Sequence, residues 1–501
     1  MHEKEIKRLV YHQFKHYPFF KRLNRKEKKK VAKQILDDIL IEYNYSNKVV
    51  TPLHQLTGTP DIQNTRGIIT ITEMSELIEN SNRKMIKLPI KSRKQYLNDH
   101  ELIVIDELLD NSILNKLLAD DHYTPSKREL FPCQYMRAEI LKALKFPEIS
   151  YRKFCEVQLN NLDQKANRTF ACLSLKKKET ISHSQLSIFR SSLSFSQLRN
   201  LMVYVICLFM KSGKLDNPFK IYGVDSTDLA AQCNSHPLAT IKLPNGKKVR
   251  IYSELEADCG KRRTKRNKSE FFVGYRLHTL TAINPLTGKS CPIISLVAPA
   301  NHHDSLFLSQ LVMLAKAIGL ELDIVLGDEA YGDGVDSEVI NREYGVKVVT
   351  PPRALVAIPE NVDEQSKKVF LNSYCEVPMQ YMGRTEAGHE FKCKADPDEC
   401  FHFEGCPKFR EIPPDAGLFG QFPEQLDQVQ ELRNLRKNLE RTYNLLKNRE
   451  GLETLRAKSQ QGVSAIATFA NMANLLIEIA GTRTTTTKEN PQLQIVWKEA
   501  S

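Results

Sequence analysis

The sequence lacks long apolar runs and paired cysteine motifs, and it has a single tryptophan, Trp497. Its longest uninterrupted apolar stretch, Leu201–Met210, is about half the length that a membrane-spanning helix needs and therefore predicts a buried helix. The polar start has no apolar segment before a cleavage site, which argues against a secretory signal. Eleven cysteines without a CxxC pair indicate reduced thiols. Together these absences predict a cytoplasmic protein that does not act at a membrane.

Basic residues outnumber acidic ones. The chain has 501 residues, with 72 Lys plus Arg against 60 Asp plus Glu, and a formal net charge of +12. Such a charge attracts nucleic acid over a long range. A hydrophobic content of 41% is enough to build sizeable cores. At ~150 residues per domain, the length predicts about two to four domains.

Composition and periodicity divide the chain into regions. Residues 1–124 form a basic N-terminal region of uncertain role, and helical spacing dominates residues 125–217. Residues 218–480 alternate strand and helix patterns and carry a cysteine-containing insertion at about 354–425. The tail, residues 481–501, is polar and low in complexity, which predicts disorder.

One segment of the helical region, Ile181–Arg190, has a hydroxyl-rich start and an apolar body that ends in an arginine. This pattern suits a small DNA-binding unit, because helix N-termini and hydroxyls bind phosphate. An ordinary capped helix explains the same residues equally well. Residues 125–217 are therefore a candidate DNA-binding region.

Strand patterns follow residue 218. An Asn-Gly pair at 245–246 lies between two β-like runs and predicts a hairpin. Two further runs, 271–278 and 291–297, predict strands, and an alternation of helix and strand continues to residue 350. Strands followed by such an alternation predict an α/β fold, with a ribonuclease H-like mixed sheet flanked by helices.

Three acidic residues occupy informative positions. Asp225 directly follows the apolar run 221–224, Asp328 follows the run 322–327, and Glu440 lies within a long helical pattern. Magnesium prefers carboxylate oxygens and leaves room for phosphate oxygens and water. Two strand-end aspartates and one helical glutamate therefore predict a magnesium site for phosphodiester chemistry.

The helical pattern around Glu440 has two faces. At about 100° per residue, Arg433, Arg436, Glu440, Tyr443 and Lys447 share one sector, and leucines form the adjacent apolar stripe. Such a face places an acid on a metal while neighbouring cations neutralise phosphates. A solvated helix with routine ion pairs is the alternative. The apolar stripe consists of Leu432, Leu435, Leu439 and Leu446.

Five short motifs follow one another along the chain: Gly223-Val224-Asp225-Ser226-Thr227, Gly274-Tyr275-Arg276-Leu277-His278, His303-Asp304-Ser305, Gly327-Asp328-Glu329-Ala330-Tyr331-Gly332 and the segment from Leu439 to Lys447. In sequence and order they resemble the motifs of the Asp-Asp-Glu transposases of bacterial insertion sequences. The spacing of Arg436, Glu440 and Lys447 matches the last three members of the Tyr-Arg-Glu-Lys signature of one such group, whose tyrosine position falls on Arg433.

The resemblance implies that Asp225, Asp328 and Glu440 hold Mg²⁺ or Mn²⁺ and catalyse cleavage at element ends and strand transfer into target DNA. It also implies that Arg433, Arg436, Tyr443 and Lys447 lie against DNA. The implied partners are terminal inverted repeats, target DNA and a second copy of the chain in the synapse, in the bacterial cytosol. A metal-dependent nuclease without strand transfer and a non-cleaving sequence-specific DNA-binding protein are the alternatives.

Cysteines and histidines cluster within the insertion. Zinc takes four such ligands, so a structural zinc site is one interpretation. Reduced cysteines in a loop-rich insertion are the other. The candidate zinc ligands are Cys375, His389, Cys393, Cys400 and Cys406.

A basic run precedes the strand that contains Gly274. We expect it to lie in a loop near the catalytic sheet, where clustered cations can track a phosphate backbone. A solvated loop is the alternative. The run comprises Lys261, Arg262, Arg263, Lys265 and Arg266.

Overall fold

The predicted polar tail lies outside the residues that the computed structural model describes, apart from Gly481. The described residues are 24, 26–28, 67–81, 94–118, 130–176, 179–215, 217–242, 248–263, 269–332, 334–351, 359–363, 366, 368–385, 387–396, 398, 400, 406–413, 426–449, 451–452, 455 and 457–481.

The described chain before residue 215 is helical, as predicted for residues 125–217. Ser182 and Ser194 each begin a helix with a capping box, because the serine hydroxyl accepts from a glutamine N–H and the glutamine side chain accepts from the serine N–H. The helices are α1 (Ile71–Glu79), α2 (His100–Leu108), α3 (Asn111–Leu118), α4 (Pro132–Lys145), α5 (Tyr151–Lys153, continued by a π-helix over Phe154–Leu159), α6 (Lys165–Phe170), α7 (His183–Ser192) and α8 (Phe195–Lys211).

The arginine that ends α7 is buried. Arg190 Nη1 donates to Glu139 Oε1 on α4 over 2.6 Å, and its guanidinium lies 4.0 Å from the centre of the Tyr151 ring. The Tyr151 hydroxyl donates to the other oxygen of Glu139 over 2.9 Å. Arg190 therefore joins α7 to the helical core and is not available to a phosphate.

The main sheet is mixed. Strand β1 lies at its centre, with β5 antiparallel on one side and β7 parallel on the other. Strands β4 and β6 pair with the first and second halves of β5, and β8 pairs in parallel with β7. The strands are β1 (Ile221–Ala230), β2 (Ala239–Lys242), β3 (Lys248–Ile251), β4 (Asp258–Arg263), β5 (Ser269–Ile283), β6 (Ser290–Pro299), β7 (Ile324–Leu326) and β8 (Lys347–Val349).

The order β6-β5-β1-β7-β8 has three antiparallel strands followed by two parallel ones. This arrangement confirms the predicted ribonuclease H-like sheet. The β2–β3 hairpin predicted from the Asn-Gly pair is also confirmed.

Helices flank the sheet, and the one that carries Glu440 is broken. A 3₁₀ turn over Arg436–Asn438 separates α11 from α12, and a π-helix over Leu445–Arg449 follows. The long helical pattern predicted here is confirmed for Asp427–Arg449, although two of its turns wind more tightly or more loosely than 3.6 residues per turn. The predicted leucine stripe is nevertheless buried. The helices are α9 (Ser305–Ala317), α10 (Gly334–Tyr344), α11 (Asp427–Leu435), α12 (Leu439–Asn444) and α13 (Gln460–Ala480).

The insertion contains a small antiparallel sheet of β9 (Gln380–Arg384), β10 (His389–Lys392) and β11 (Phe409–Ile412). Its apolar cluster consists of Val369, Met379, Phe391 and Ile412. The described part of the insertion thus contains a small sheet with its own apolar cluster.

One hydrophobic core joins the helical region to the main sheet. It runs from Met74 to Ala480, and α13 packs on α4, α8 and β6 within it. By length and composition α13 could cross a membrane, as could α7 and α8 taken together, although these two are bent by 97°. The apolar window of α13 is 67% buried inside the molecule, as in a core helix.

Candidate active site

The strand register brings two of the predicted acids together. Strand β1 runs parallel to β7 with Gly223 opposite Leu326, and Asp225 and Asp328 each lie two residues further along. Neighbouring strands are about 4.8 Å apart. Asp225 and Asp328 therefore occupy matched positions on adjacent strands. Asp328 follows the end of β7, as predicted, whereas the strand-end position predicted for Asp225 is wrong, because β1 pairs with β5 as far as Ala230.

Both carboxyls are held in an environment that disfavours their charge. Burial raises the pKa of Asp225 to about 6, and the negative charges of Asp328 and Asp304 act in the same direction. Burial, together with Asp304, also raises the pKa of Asp328. The positive charge of Arg436 opposes both shifts. The site therefore concentrates negative charge with incomplete compensation.

Main-chain groups fix the two carboxylates. The N–H of Ser226 donates to Asp225 Oδ1 over 2.8 Å, and the N–H of Ala330 donates to Asp328 Oδ1 over 3.0 Å. The second bond caps a 3₁₀ turn over Glu329–Tyr331. Each acid thus has a defined orientation before any ligand binds.

Two elements cover opposite faces of β1. A Cβ added to Gly223 would lie 2.7 Å from both Leu439 methyl carbons, so α12 lies directly on that glycine. On the same helix, the Tyr443 hydroxyl donates to the carbonyl of Asp225. On the other face, buried His278 stacks on Phe307 of α9 with ring centres 3.9 Å apart. Asp225 therefore lies on the α12 face, since strand side chains alternate.

Glu440 lies between Leu439 and Tyr443 on α12, and its side chain is exposed. Among the residues that the structure describes, no three His, Cys, Asp or Glu side chains are arranged to hold a metal ion. The paired carboxylates of Asp225 and Asp328 do fit a divalent cation, because hard cations take carboxylate oxygen and would relieve their repulsion. The part of Glu440 in such a site stays a prediction.

The other residues predicted on the Glu440 face have different surroundings. Arg436 Nη1 is buried without a hydrogen-bond partner in the described part of the chain, and its charge reaches both aspartates. Lys447 is half-buried, and its charge opposes the rise that burial causes in the pKa of Asp228. Tyr443 is buried, and Arg433 is half-buried. Arg436 thus faces the acidic site and Lys447 lies near Asp228, while the DNA contacts of all four stay predictions.

The predicted loop position of the basic run is wrong for its first three members. Lys261, Arg262 and Arg263 lie in β4, because β5 extends back to Ser269 and pairs with them. Lys261 and Arg262 are exposed, and Arg262 Nη2 lies 3.2 Å from Glu270 Oε2. Lys265 and Arg266 lie outside the described residues.

The structure does not assemble the candidate zinc ligands. His389 is buried, and its Nδ1 is hydrogen-bonded to the Tyr381 hydroxyl at 3.3 Å. Throughout the described chain there is no group of three His, Cys, Asp or Glu side chains with a metal-binding arrangement. The described arrangement of Cys375, His389, Cys393, Cys400 and Cys406 gives no support to a zinc site, and zinc binding by these residues stays a prediction.

Sequence reasoning missed an ion-pair network beside the aspartates. Arg276 on β5 contacts Asp228 on β1 and Asp304 before α9. The Ser226 hydroxyl donates to Asp304 Oδ2 over 3.2 Å. Arg276 and Asp304 each lie in one of the five motifs, so the motifs could have identified both residues as candidates for the site. Their pairing is a tertiary contact that motif order does not reveal.

Two neighbouring aspartates on adjacent strands of a ribonuclease H-like sheet are typical of enzymes that act on phosphodiesters. The chain belongs to the transposase DDE domain family, whose model matches residues 220–476, more than half of the chain. It is also similar to the piggyBac transposase in a cryo-EM structure of a synaptic complex with hairpin DNA. This match has a TM-score of 0.31 and 11% identity, and it covers 83% of this chain and 80% of that one. No curated protein matches the chain significantly.

Proposed function

We propose that the protein is a DNA transposase of the bacterial insertion-sequence type with a Tyr-Arg-Glu-Lys-like signature. It would cleave DNA at the ends of its element and transfer the freed strands into target DNA. The observation that supports the proposal is the parallel register of β1 and β7, which puts Asp225 and Asp328 two residues beyond the paired Gly223 and Leu326 within the matched family domain.

In this proposal Asp225, Asp328 and Glu440 hold Mg²⁺ or Mn²⁺. When bound, the metal supplies activation of a water or a DNA 3′-hydroxyl and stabilisation of the leaving oxygen. Ser226 N–H and the Tyr443 hydroxyl orient the Asp225 residue through its carboxylate and its carbonyl. The guanidinium of Arg436 is placed to neutralise a phosphate next to the acids.

The proposed DNA partners are the terminal inverted repeats and target DNA, bound by a homodimer in the cytoplasm. Contacts are assigned to Arg433, Arg436, Tyr443 and Lys447, and to the basic run on β4. In the ladder between β4 and β5, exposed Lys261 lies opposite Phe271, which is 72% exposed. A cation beside an exposed aromatic ring suits a nucleic-acid surface, because phosphates and bases both find partners there. The division of the chain into regions at residues 124, 217 and 480 is part of the same proposal, with the helical region and the sheet sharing one core.

The decisive experiment is cleavage and strand transfer with DNA that carries the element's own ends. We expect Asp225→Ala and Glu440→Ala each to lower both reactions by more than the ~10–100-fold typical of outer-shell residues. Asp323→Ala is the matched control, since this exposed acid lies just before β7, at the end opposite Asp328. Cleavage without joining would favour the nuclease, and specific binding without either reaction would favour the DNA-binding protein. Activity that survives both substitutions would remove the proposed site.

The β4 contacts are tested by the salt dependence of DNA binding. Each phosphate contact adds about 0.9 to the slope of log K against log salt, so Lys261→Ala with Arg262→Ala should lower the slope by roughly 2. Lys289→Ala is the control, because this exposed lysine lies in the turn beyond the far end of β5. An unchanged slope in the double variant would show that β4 does not contact the backbone.

A further inference from the structure

Asp304 lies outside the predicted catalytic set, yet it is tied directly to that set. It stands immediately before α9 and is largely buried, with 14% of its side chain exposed. Its Oδ2 accepts from the hydroxyl of Ser226 over 3.2 Å, and Ser226 is the residue after Asp225. The carboxylate of Asp304 is therefore hydrogen-bonded to β1, the strand that carries Asp225.

Arg276 holds Asp304 in that place. Its Nη1 donates to Asp304 Oδ1 over 2.8 Å, its Nε donates to Asp228 Oδ1 over 3.3 Å, and its Nη2 donates to the carbonyl of Lys261 over 2.8 Å. One guanidinium thus connects β1, β4, β5 and the start of α9. Such a fork is planar and rigid, so it fixes the carboxylates that it contacts.

Asp304 approaches β1 from the face opposite Asp225. Ser226 pairs with His278 and Asp225 with Thr279, so their side chains point to opposite sides of the sheet. From that side the Asp304 carboxylate is bonded to the residue that follows Asp225, so its negative charge lies close to the aspartate pair. The geometry suits action through Ser226 and through the electric field, and it does not suit direct ligation beside Asp225.

We propose that Asp304, held by Arg276 and bonded to Ser226, is a positioning residue that increases the affinity of the Asp225–Asp328 pair for a divalent cation. It adds negative potential at the cation position and fixes the chain next to Asp225 without touching the cation. This inference rests on the proposed metal-dependent function of that pair.

The test is Mn²⁺ binding to the full-length protein without DNA, measured by calorimetry and by the electron paramagnetic resonance of free Mn²⁺. Asp304→Asn removes the charge and keeps an oxygen that can accept from Arg276. We expect it to weaken Mn²⁺ binding about tenfold, the effect of one charge across a partly solvated site. Asp228→Asn is the matched control, because Asp228 shares the same guanidinium and strand face but lies three residues beyond Asp225. It should weaken binding less than about threefold, since field effects fall with distance. Thermal unfolding confirms that each variant is folded.

Each outcome separates the inference from the function on which it rests. Equal effects of Asp304→Asn and Asp228→Asn, or no effect of Asp304→Asn, would overturn the inference alone if Asp225→Asn abolishes binding. Loss of binding in Asp304→Asn as complete as in Asp225→Asn would make Asp304 a ligand and overturn its positioning role. Failure of the unaltered protein to bind Mn²⁺ at this site would instead overturn the metal-dependent function itself.

Discussion

At the scale of single residues, the charge of buried Asp225 is expected to destabilise the metal-free protein. Burial raises the pKa of Asp225 to about 6, above the ~3.9 of an unfolded chain. The folded state thus binds this proton more tightly, so the stabilisation from this group is present below about pH 4 and is lost as pH rises through about 6. In EDTA at pH 8, Asp225→Asn should therefore be more stable than the unaltered protein by on the order of 2 kcal/mol. Urea unfolding at pH 4.5 and pH 8 measures the difference.

The control for this prediction is Asp323→Asn, an exposed acid near the opposite end of the adjacent strand. This variant removes one carboxylate outside the buried pair and is not expected to be more stable than the unaltered protein at pH 8. Asp225→Asn that is equally or less stable than the unaltered protein at pH 8 would contradict the prediction. Saturating Mg²⁺ should reverse the order, because a cation stabilises only the form that binds it.

The aspartate pair could be predicted because each acid directly follows an apolar run and the two runs form adjacent parallel strands. The continuation of β1 beyond Asp225 could not, because it depends on pairing with β5. The environment of His278 could not be predicted. Within its motif it reads as one more strand residue, but it is buried, stacked on Phe307 and hydrogen-bonded to the Tyr331 hydroxyl at 3.1 Å. Burial lowers its pKa to about 3, so it is neutral at physiological pH. Only the packing of α9 on the sheet decides this.

At the scale of elements, the contact between β1 and α12 sets the position of the Glu440 helix. A methyl group at Gly223 would collide with Leu439, so Gly223→Ala should displace α12 and lower the free energy of unfolding by about 1–3 kcal/mol. Leu439→Ala alone should cost about 2–5 kcal/mol through the cavity that it leaves. Together the two changes should cost less than their sum by at least about 0.5 kcal/mol, because the alanine methyl then occupies the vacated space. Chemical denaturation of the four proteins completes the cycle. Strict additivity would show that the two residues do not meet.

Helical arithmetic identified the correct buried leucines around Glu440, but it takes no account of changes in helical winding. A single period of 3.6 assigns Arg433, Arg436 and Glu440 to one sector, whereas the 3₁₀ turn over Arg436–Asn438 rotates the residues after it. The ends of the strands could not be predicted from local patterns either. The long β5 pairs with β4, so the first three cations of the basic run lie in an edge strand and not in the expected loop. Backbone pairing of this kind depends on neighbours that a local pattern does not contain.

At the scale of the whole molecule, the helical region and the sheet share one interior. Residues of α8 and α13 pack together, and α13 also packs on β6 and α4. Sequence patterns change at residue 217, since helical spacing gives way to strand alternation there. A change of pattern marks a change of secondary structure, and it marks a domain boundary only where the core is also interrupted. The described core continues across this point.

A fragment of residues 218–480 is therefore expected not to fold alone. It would lose α8, most of which is buried, and would expose the apolar surfaces of α13 and β6 that α8 covers. We expect such a fragment to aggregate or to show no cooperative thermal transition, while a fragment of residues 67–480 shows one transition by both far-UV and near-UV circular dichroism. The longer fragment is the matched control, because both end at the same residue and differ only in the helical region. A soluble 218–480 fragment with cooperative unfolding would show instead that the sheet holds its structure independently, and that the helices serve as an attached domain.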